Sequence, residues 1–249
     1  MDISAYLARI RYSGPLNCTS ETLKQLQLAH LLTVPFENLS IHASEPIVLD
    51  ETALFDKIVR RRRGGFCYEV NGLFAWLLKA LGFEVAMLSA GVANDQGVFS
   101  PDFDHMTLLV RLDEPWLADV GFGDSFVEPI KLKPWRESNQ RGVLYRIIAD
   151  DDRFVLERAS LDHDWKPQYR FGLTPYQFAD YAERCNFHQT SPESHFTRNR
   201  ICSLLTARGR ITVSDKRLII NEDGTREERE IVSDEEQAIL LREQFGIVM

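Results

Sequence analysis

The sequence predicts an α+β fold in which helices come first, antiparallel sheet fills the middle, and strands with a last helix close the chain. Three observations carry this. Up to Gly82 the apolar residues recur at helical spacing. Beyond it they alternate in short branched runs between turn signals. From Ser233 the helical period returns behind a capping box that Glu236 completes. A chain of 249 residues buries a substantial core, and its 44% hydrophobic and 27% charged residues are ordinary globular composition.

The elements follow in order. Residues 2–12 and 20–33 have helical spacing, the second opened by Thr19-Ser20-Glu21 as an N-cap. The stretch TVPFENLSI (33–41) breaks the helix at Pro35, and 51–62 resume it through Leu54, Ile58 and Val59. Phe66, Val70, Leu73, Phe74, Leu77, Leu78 and Leu81 define a long amphipathic helix over 66–81, stopped by Gly82. Strands are predicted at 83–92, 105–112, 116–120, 143–149 and 153–158, parted by Asp113-Glu114-Pro115 and Asp150-Asp151-Asp152. Together they suit an antiparallel sheet or barrel. A short helix is expected at 174–184, then strands at 210–213, 217–221 and 226–232 around the turn Glu222-Asp223-Gly224. No internal repeat or low-complexity linker separates the parts.

Composition excludes several function classes. No run approaches the roughly eighteen apolar residues of a membrane span. MDISAYLARIRYSG lacks the basic start and apolar stretch of a secretory signal, so a cytoplasmic protein is expected. A net charge of −8 argues against a nucleic-acid binder. Arg60 to Arg62 read as a solvated face rather than an anion site. Cys18, Cys67, Cys185 and Cys202 are scattered without a CxxC pair, which predicts free thiols, no redox dithiol and no metal site.

One thiol stands apart. In RRRRGGFCYEVNGLF (60–74), Cys67 follows Gly64-Gly65-Phe66 and falls in the first turn of the 66–81 helix. The free N–H groups and dipole of a helix start favour a thiolate there, and two glycines permit close approach. The competing reading is a small buried core residue. A nucleophile also needs a base. His30 and His42 lie in helical stretches, and His163, His188 and His195 in polar, loop-like ones. His105 heads the strand HMTLLVRL after the loop SPDFD, a position suited to aim an imidazole into a cleft. Asp119, in the apolar WLADVGFG, needs a buried partner, and an imidazolium would satisfy it. Geometry objects: a plain hairpin turning at 113–115 sets Asp119 opposite residue 109, about 13 Å along the strand from His105. A bulge, a bend or another register is required, and spacing alone leaves the choice open.

RRGGFCYEVNGLF, VPFEN (34–38) and ADVGFG (118–123), with NFHQTSPESHF (186–196) and GRITV (209–213), together resemble the arylamine N-acetyltransferase family. The resemblance implies a helical bundle carrying the cysteine (1–84), a β-barrel carrying histidine and aspartate (85–186) and an α/β lid (187–249). It implies a cysteine-protease-like core of Cys67, His105 and Asp119. Ping-pong transfer of acetyl from acetyl-CoA to an arylamine, hydrazine or hydroxylamine follows, as in xenobiotic metabolism, with no metal, nucleic-acid or membrane partner. Arg63 is implied to pair with Glu37. Phe36, Val92 and Phe122 are implied to line the acceptor pocket, with Gly123 as a close-approach point for CoA. Two features depart from the pattern. Asp104 and Met106 flank His105, an extra carboxylate expected to raise the base's pKa and disfavour an anionic donor nearby. The chain also ends at Met249, soon after QFGI, which suggests a more open donor site.

Three other readings remain. One is an amide synthase of the same fold, using a carrier-bound thioester. Another is a cysteine hydrolase or transglutaminase-like enzyme, which shares the Cys…His…Asp order. The last is a binding module in which Cys67 is inert.

Overall fold

The computed structural model describes residues 1–248. The first third is helical, and its caps are chemically explicit. Helix α1 (Ile3–Arg9) starts where Asp2 accepts the Ser4 N–H, and α2 (Ser20–Leu31) where Thr19 accepts the Thr22 N–H. After a two-residue strand β1 (Phe36–Glu37) and the turn α3 (Leu39–His42), Asp50 caps α4 (Glu51–Phe55). The chain then widens into a π turn over Asp56–Arg60.

Helix α5 (Cys67–Ala80) is the axis of the molecule. It was expected to be amphipathic, but polar Glu69 and Asn71 are as buried as Leu73 and Phe74. A helix covered all round has layers on every side. Here the helices lie against one flank, and β2 (Glu84–Val92) and β3 (His105–Arg111) against another. Its buried polar residues therefore need partners, and they have them in the site.

The large sheet adds β4 (Pro115–Ala118), β5 (Ile130–Lys131), β6 (Ser138–Gln140), β7 (Val143–Asp150), β8 (Arg153–Ala159) and β9 (Lys166–Tyr176). Its eight strands run antiparallel in the order β5-β4-β3-β2-β9-β8-β7-β6, a barrel-like sheet. Alternation along β3 divides two cores. Met106, Leu108 and Val110 face α5, while Leu109 joins Leu88, Leu117, Tyr169 and Phe171 in the sheet's interior.

β9 corrects the expected helix from residue 174. The strand continues to Tyr176, and α6 (Ala182–Thr190) begins only after a 3-10 turn at Phe178–Tyr181. Pro167, Gly172 and Pro175 had hidden the strand's period. The boundary expected between 186 and 187 falls inside α6.

The second sheet holds β10 (Ile201–Leu205), β11 (Gly209–Ser214), β12 (Arg217–Glu222) and β13 (Thr225–Glu230), with α7 (His195–Arg198) before it and α8 (Asp234–Phe245) packed on it. Its order is β1-β10-β11-β12-β13, so the PFEN segment of the helical third forms one edge. Phe36 stands opposite Ser203 and Glu37 opposite Cys202. No helix among the described residues is long and apolar enough to cross a membrane.

Candidate active site

The RGG segment is clamped between β1 and α5. Glu37 N–H donates to Gly65 O at 3.0 Å, and Gly65 N–H to Pro35 O at 3.3 Å. A Cβ on Gly64 would lie 1.9 Å from Pro35 O, so only glycine lets the strands meet. Arg63 grips the same strand, its Nε and Nη2 donating to the two Glu37 oxygens at 3.0 and 3.2 Å. Both side chains are buried, and truncating one leaves the other charge stranded at a cost of about 3–5 kcal/mol. Arg60, Arg61 and Arg62 are exposed. At the start of α5, Glu69 accepts the Phe66 N–H at 3.1 Å and pairs with Lys57 at 2.7 Å. Cys67 is thus the first residue of a helix anchored by two buried ion pairs.

The hairpin objection is answered by register. β3 and β4 pair as Arg111↔Pro115, Val110↔Trp116, Leu109↔Leu117 and Leu108↔Ala118. The turn is centred two residues' worth earlier in pairing than a turn at 113–115 gave, so the continuation sets Asp119 beside Thr107 rather than Leu109. The strand ends at Ala118, and a diagonal step of that kind is within side-chain reach. His105 Nε2 lies 2.7 Å from Asp119 Oδ2.

Asp119 is saturated. Oδ2 also accepts the Tyr169 hydroxyl at 3.1 Å, and Oδ1 accepts Asn71 Nδ2 and the Gly121 N–H, each at 2.8 Å. Burial pushes its carboxyl up, but the His105 imidazole and these hydrogen bonds outweigh that and hold it below the usual carboxylate range. Asn71 ties the parts together: Nδ2 also donates to Met106 O at 2.6 Å, and Oδ1 accepts the Val120 N–H at 2.8 Å. One turn beyond Cys67 on α5, it joins the cysteine helix to the strands bearing His105 and Asp119. Sequence reasoning passed over Asn71, Tyr169 and Gly121. The available signals were a polar residue at i+4 from the thiol and the glycine in DVGFG. A Cβ on Gly121 would lie 2.8 Å from Cys67 Cα.

Cys67 itself is buried, and burial pushes its thiol well above the ordinary range, reinforced by Asp119, Cys185 and Asp104 and opposed by the Met106 N–H. The helix start does not make a free thiolate. Of the two His105 ring nitrogens, Nε2 is the one bonded to Asp119.

Phe122 lies with its ring centroid 5.1 Å from both His105 and Tyr169, and Val92 stands opposite Tyr169 across β2 and β9. Phe36 lies near Phe196 with the rings tilted and their centroids 6.2 Å apart, and a Cβ on Gly123 would sit 3.8 Å from the Phe36 ring. Gly123 has φ +89°, a turn that glycine takes freely. Phe122 thus touches His105 and Tyr169, Gly123 after it lies against Phe36, and Val92 stands beside Tyr169. Asp124, next in the chain, pairs with Arg158 and Arg210 at the edge of a cleft of about 670 Å³ also lined by Arg141, Arg208 and Arg226.

Asp104 and Met106 correct an expectation. Met106 is fully buried in the α5-side core. The Asp104 carboxylate is held by Arg184, with His188 Nε2 3.0 Å away, so it is compensated rather than presented to an anionic donor. Among the described residues no group of three or more His, Cys, Asp or Glu is arranged to hold a metal ion.

The chain matches, over residues 19–249, the family described as N-acetyltransferase. It is 36% identical to the arylamine N-acetyltransferase pineal gland isozyme NAT-3 of Gallus gallus, over 100% of this chain and 95% of that one. It is 32% identical to proansamycin X synthase of Amycolatopsis mediterranei, over 94% of this chain and 93% of that one. In three dimensions it superposes on the arylamine N-acetyltransferase of Mycobacterium marinum in complex with CoA, with TM-score 0.91 and 30% identity, covering 99% and 93% of the two chains.

Proposed function

The chain belongs to the N-acetyltransferase family that contains the arylamine N-acetyltransferases, and from that premise we propose that it transfers acetyl from acetyl-CoA to the nitrogen of an arylamine, arylhydrazine or N-hydroxyarylamine. The observation that carries the reading is an imidazole, His105, already bonded to a buried carboxylate, with the next residue's N–H, that of Met106, on the thiol of Cys67 at the start of α5. His105 takes the Cys67 proton, and the sulfur attacks the thioester carbonyl. The tetrahedral intermediate collapses, CoA leaves as its thiol with that proton, and acetyl stays on Cys67. The amine then attacks, His105 accepts its proton, and returning that proton to sulfur frees the thiol. Asp119 holds the imidazole in one tautomer and stabilises its cation.

Phe36, Phe122 and Val92 suit a flat aromatic acceptor, and the turn at Gly123 suits the pantetheine arm. The arginine-lined cleft beyond Asp124 offers the donor's phosphates a cationic wall. Within this reading the parts are a helical bundle to residue 84, a β-barrel and an α/β lid. Their second boundary is better drawn at Gln177, where β9 gives way to the turn before α6. A cytoplasmic setting suits four unbridged cysteines.

The likeness to proansamycin X synthase favours one second reading, an amide synthase that takes a carrier-bound thioester. Intact mass after brief mixing with acetyl-CoA and no amine separates the two. The wild type should gain one acetyl unit and lose it to an aromatic amine, while Cys67→Ala should gain nothing. A wild type left unmodified by acetyl-CoA moves the amide synthase ahead.

A further inference from the structure

Helix α6 reaches both halves of the Cys67–His105 site. Arg184 donates from Nη2 to Asp104 Oδ1, and His188 Nε2 lies 3.0 Å from the same oxygen. Asp104 immediately precedes His105. The His188 ring also packs near Phe66 and Tyr68, the residues on either side of Cys67, at centroid distances of 6.5 and 6.1 Å. One helix thus touches the neighbours of the thiol and of the imidazole.

The loop between them is strained and pinned. Phe103 has φ +66°, left-handed backbone that a bulky side chain adopts only where its surroundings impose it. Its carbonyl accepts the Tyr68 hydroxyl at 2.6 Å, and its N–H donates to Ser89 Oγ at 2.7 Å. His105 is the first residue of β3, so the chain before it is placed by these side chains rather than by the ladder. The charged and titratable groups facing Asp104 are Arg184 and His188 of α6, Tyr68 and Cys67 of α5, and His105, the next residue in the chain. Burial raises the Asp104 carboxyl, but the polar groups around it, the Arg184 hydrogen bond and His188 Nε2 at 3.0 Å among them, overcome that and hold it far below its ordinary range. An ionised, mostly buried carboxylate with a charge-assisted hydrogen bond from Arg184 of α6 is a directional tether.

We propose that Asp104, Arg184 and His188 are positioning residues, through which α6 sets the stance of the His105 imidazole toward the Cys67 thiol. The proposal rests on the acyl-transfer reading for its purpose but not for its test. The sequence had assigned His188 to a polar loop, and Asp104 a disturbing role toward His105. Here both belong to the device that holds it.

The test alkylates Cys67 with iodoacetamide from about pH 5 to about pH 9 in the full chain. It compares wild type, Asp104→Asn, Arg184→Met, Arg184→Lys and His188→Gln, with kcat, KM for an arylamine and Tm alongside. Asp104→Asn and Arg184→Met should slow alkylation at neutral pH by about 10–100-fold. Their pH profiles should move toward that of an unassisted thiol, and kcat should fall with KM unchanged. Arg184→Lys should recover most of the rate. His188→Gln, which keeps a donor, should lose less than Asp104→Asn. Should Arg184→Met fail to fold, the near-isosteric Asp104→Asn carries the test. Unchanged pH profiles in folded variants overturn the proposal whatever Tm does, and so does an equal loss in Arg184→Lys and Arg184→Met. Alkylation needs neither acetyl-CoA nor amine. A wild type that alkylates fast but accepts no acetyl sinks the acyl-transfer reading and leaves this one standing.

Discussion

His30, in the helical third, and His105, at the head of β3, are the same side chain at nearly equal burial, 0% and 2% exposed, in opposite company. His30 meets the Tyr6 hydroxyl through Nδ1 at 3.0 Å, and its Nε2 has no hydrogen-bond partner among the described residues. Burial pulls its pKa down to about 3, with Arg9 adding repulsion. His105 has Asp119, itself fixed by Asn71, Tyr169 and the Gly121 N–H. Burial by itself makes an imidazole an inert core group. A held carboxylate makes a buried imidazolium tolerable, and that is the state a base passes through.

The most severe way to break this contrast is Asp119→Asn, which gives His105 the neutral surroundings of His30. The rate of Cys67 acetylation should fall by roughly 10³–10⁴-fold, with far-UV dichroism intact. A loss under tenfold in a single-turnover assay would mean that the carboxylate is not what separates the two sites. Asn71→Ala comes next, since it strips Asp119 of one donor and strands the Val120 N–H. A loss of about 10–100-fold is expected, measured in the same assay, equivalent to about 1–3 kcal/mol.

The other side of the contrast is read by stability. With a folded pKa near 3 against an ordinary 6.5, His30 binds its proton in the unfolded chain first. Its contribution is complete above about pH 6.5 and is lost as pH falls, amounting to about 2 kcal/mol by pH 5. The low folded pKa of Asp119 acts in the same direction at lower pH. Urea unfolding across that range should show the His30 part of the slope vanish in His30→Leu. A slope unchanged by that substitution would show that His30 is not the neutral residue described. Smallest of all, Tyr6→Phe removes the one partner of His30 and should cost about 1 kcal/mol in urea unfolding without altering the acetylation rate.

Much of the site was legible where chemistry is local. Gly64-Gly65 before Cys67, a histidine opening a strand and a carboxylate in an apolar run are each visible in a few neighbouring residues. What depends on pairing was not. The offset between β3 and β4 is set by the tight turn around Asp113, which a hydrophobic pattern does not count. β9 was hidden by two prolines and a glycine, and Tyr169 with it. β10 was missed too, although Asn38 Oδ1 accepts its first N–H at 2.8 Å. Asn71 is not among the apolar positions that define the predicted helix, and the layers on both flanks of α5 are what make it interior.

The pairing of β1 with β10 has a consequence for biosynthesis. Phe36 and Glu37, which brace the cysteine loop, are themselves braced by Cys202 and Ser203 from the far end of the chain. Contacts so distant in sequence close late, since their loop entropy must be overcome first, and during translation they wait for the second partner to leave the ribosome. Until then the edge of β1 is open and Glu37 and Arg63 lack their cover. The support of the Cys67 loop is therefore among the last parts of this protein to mature, although the loop is encoded in the first third, and a chain ending before β10 would lack one side of it.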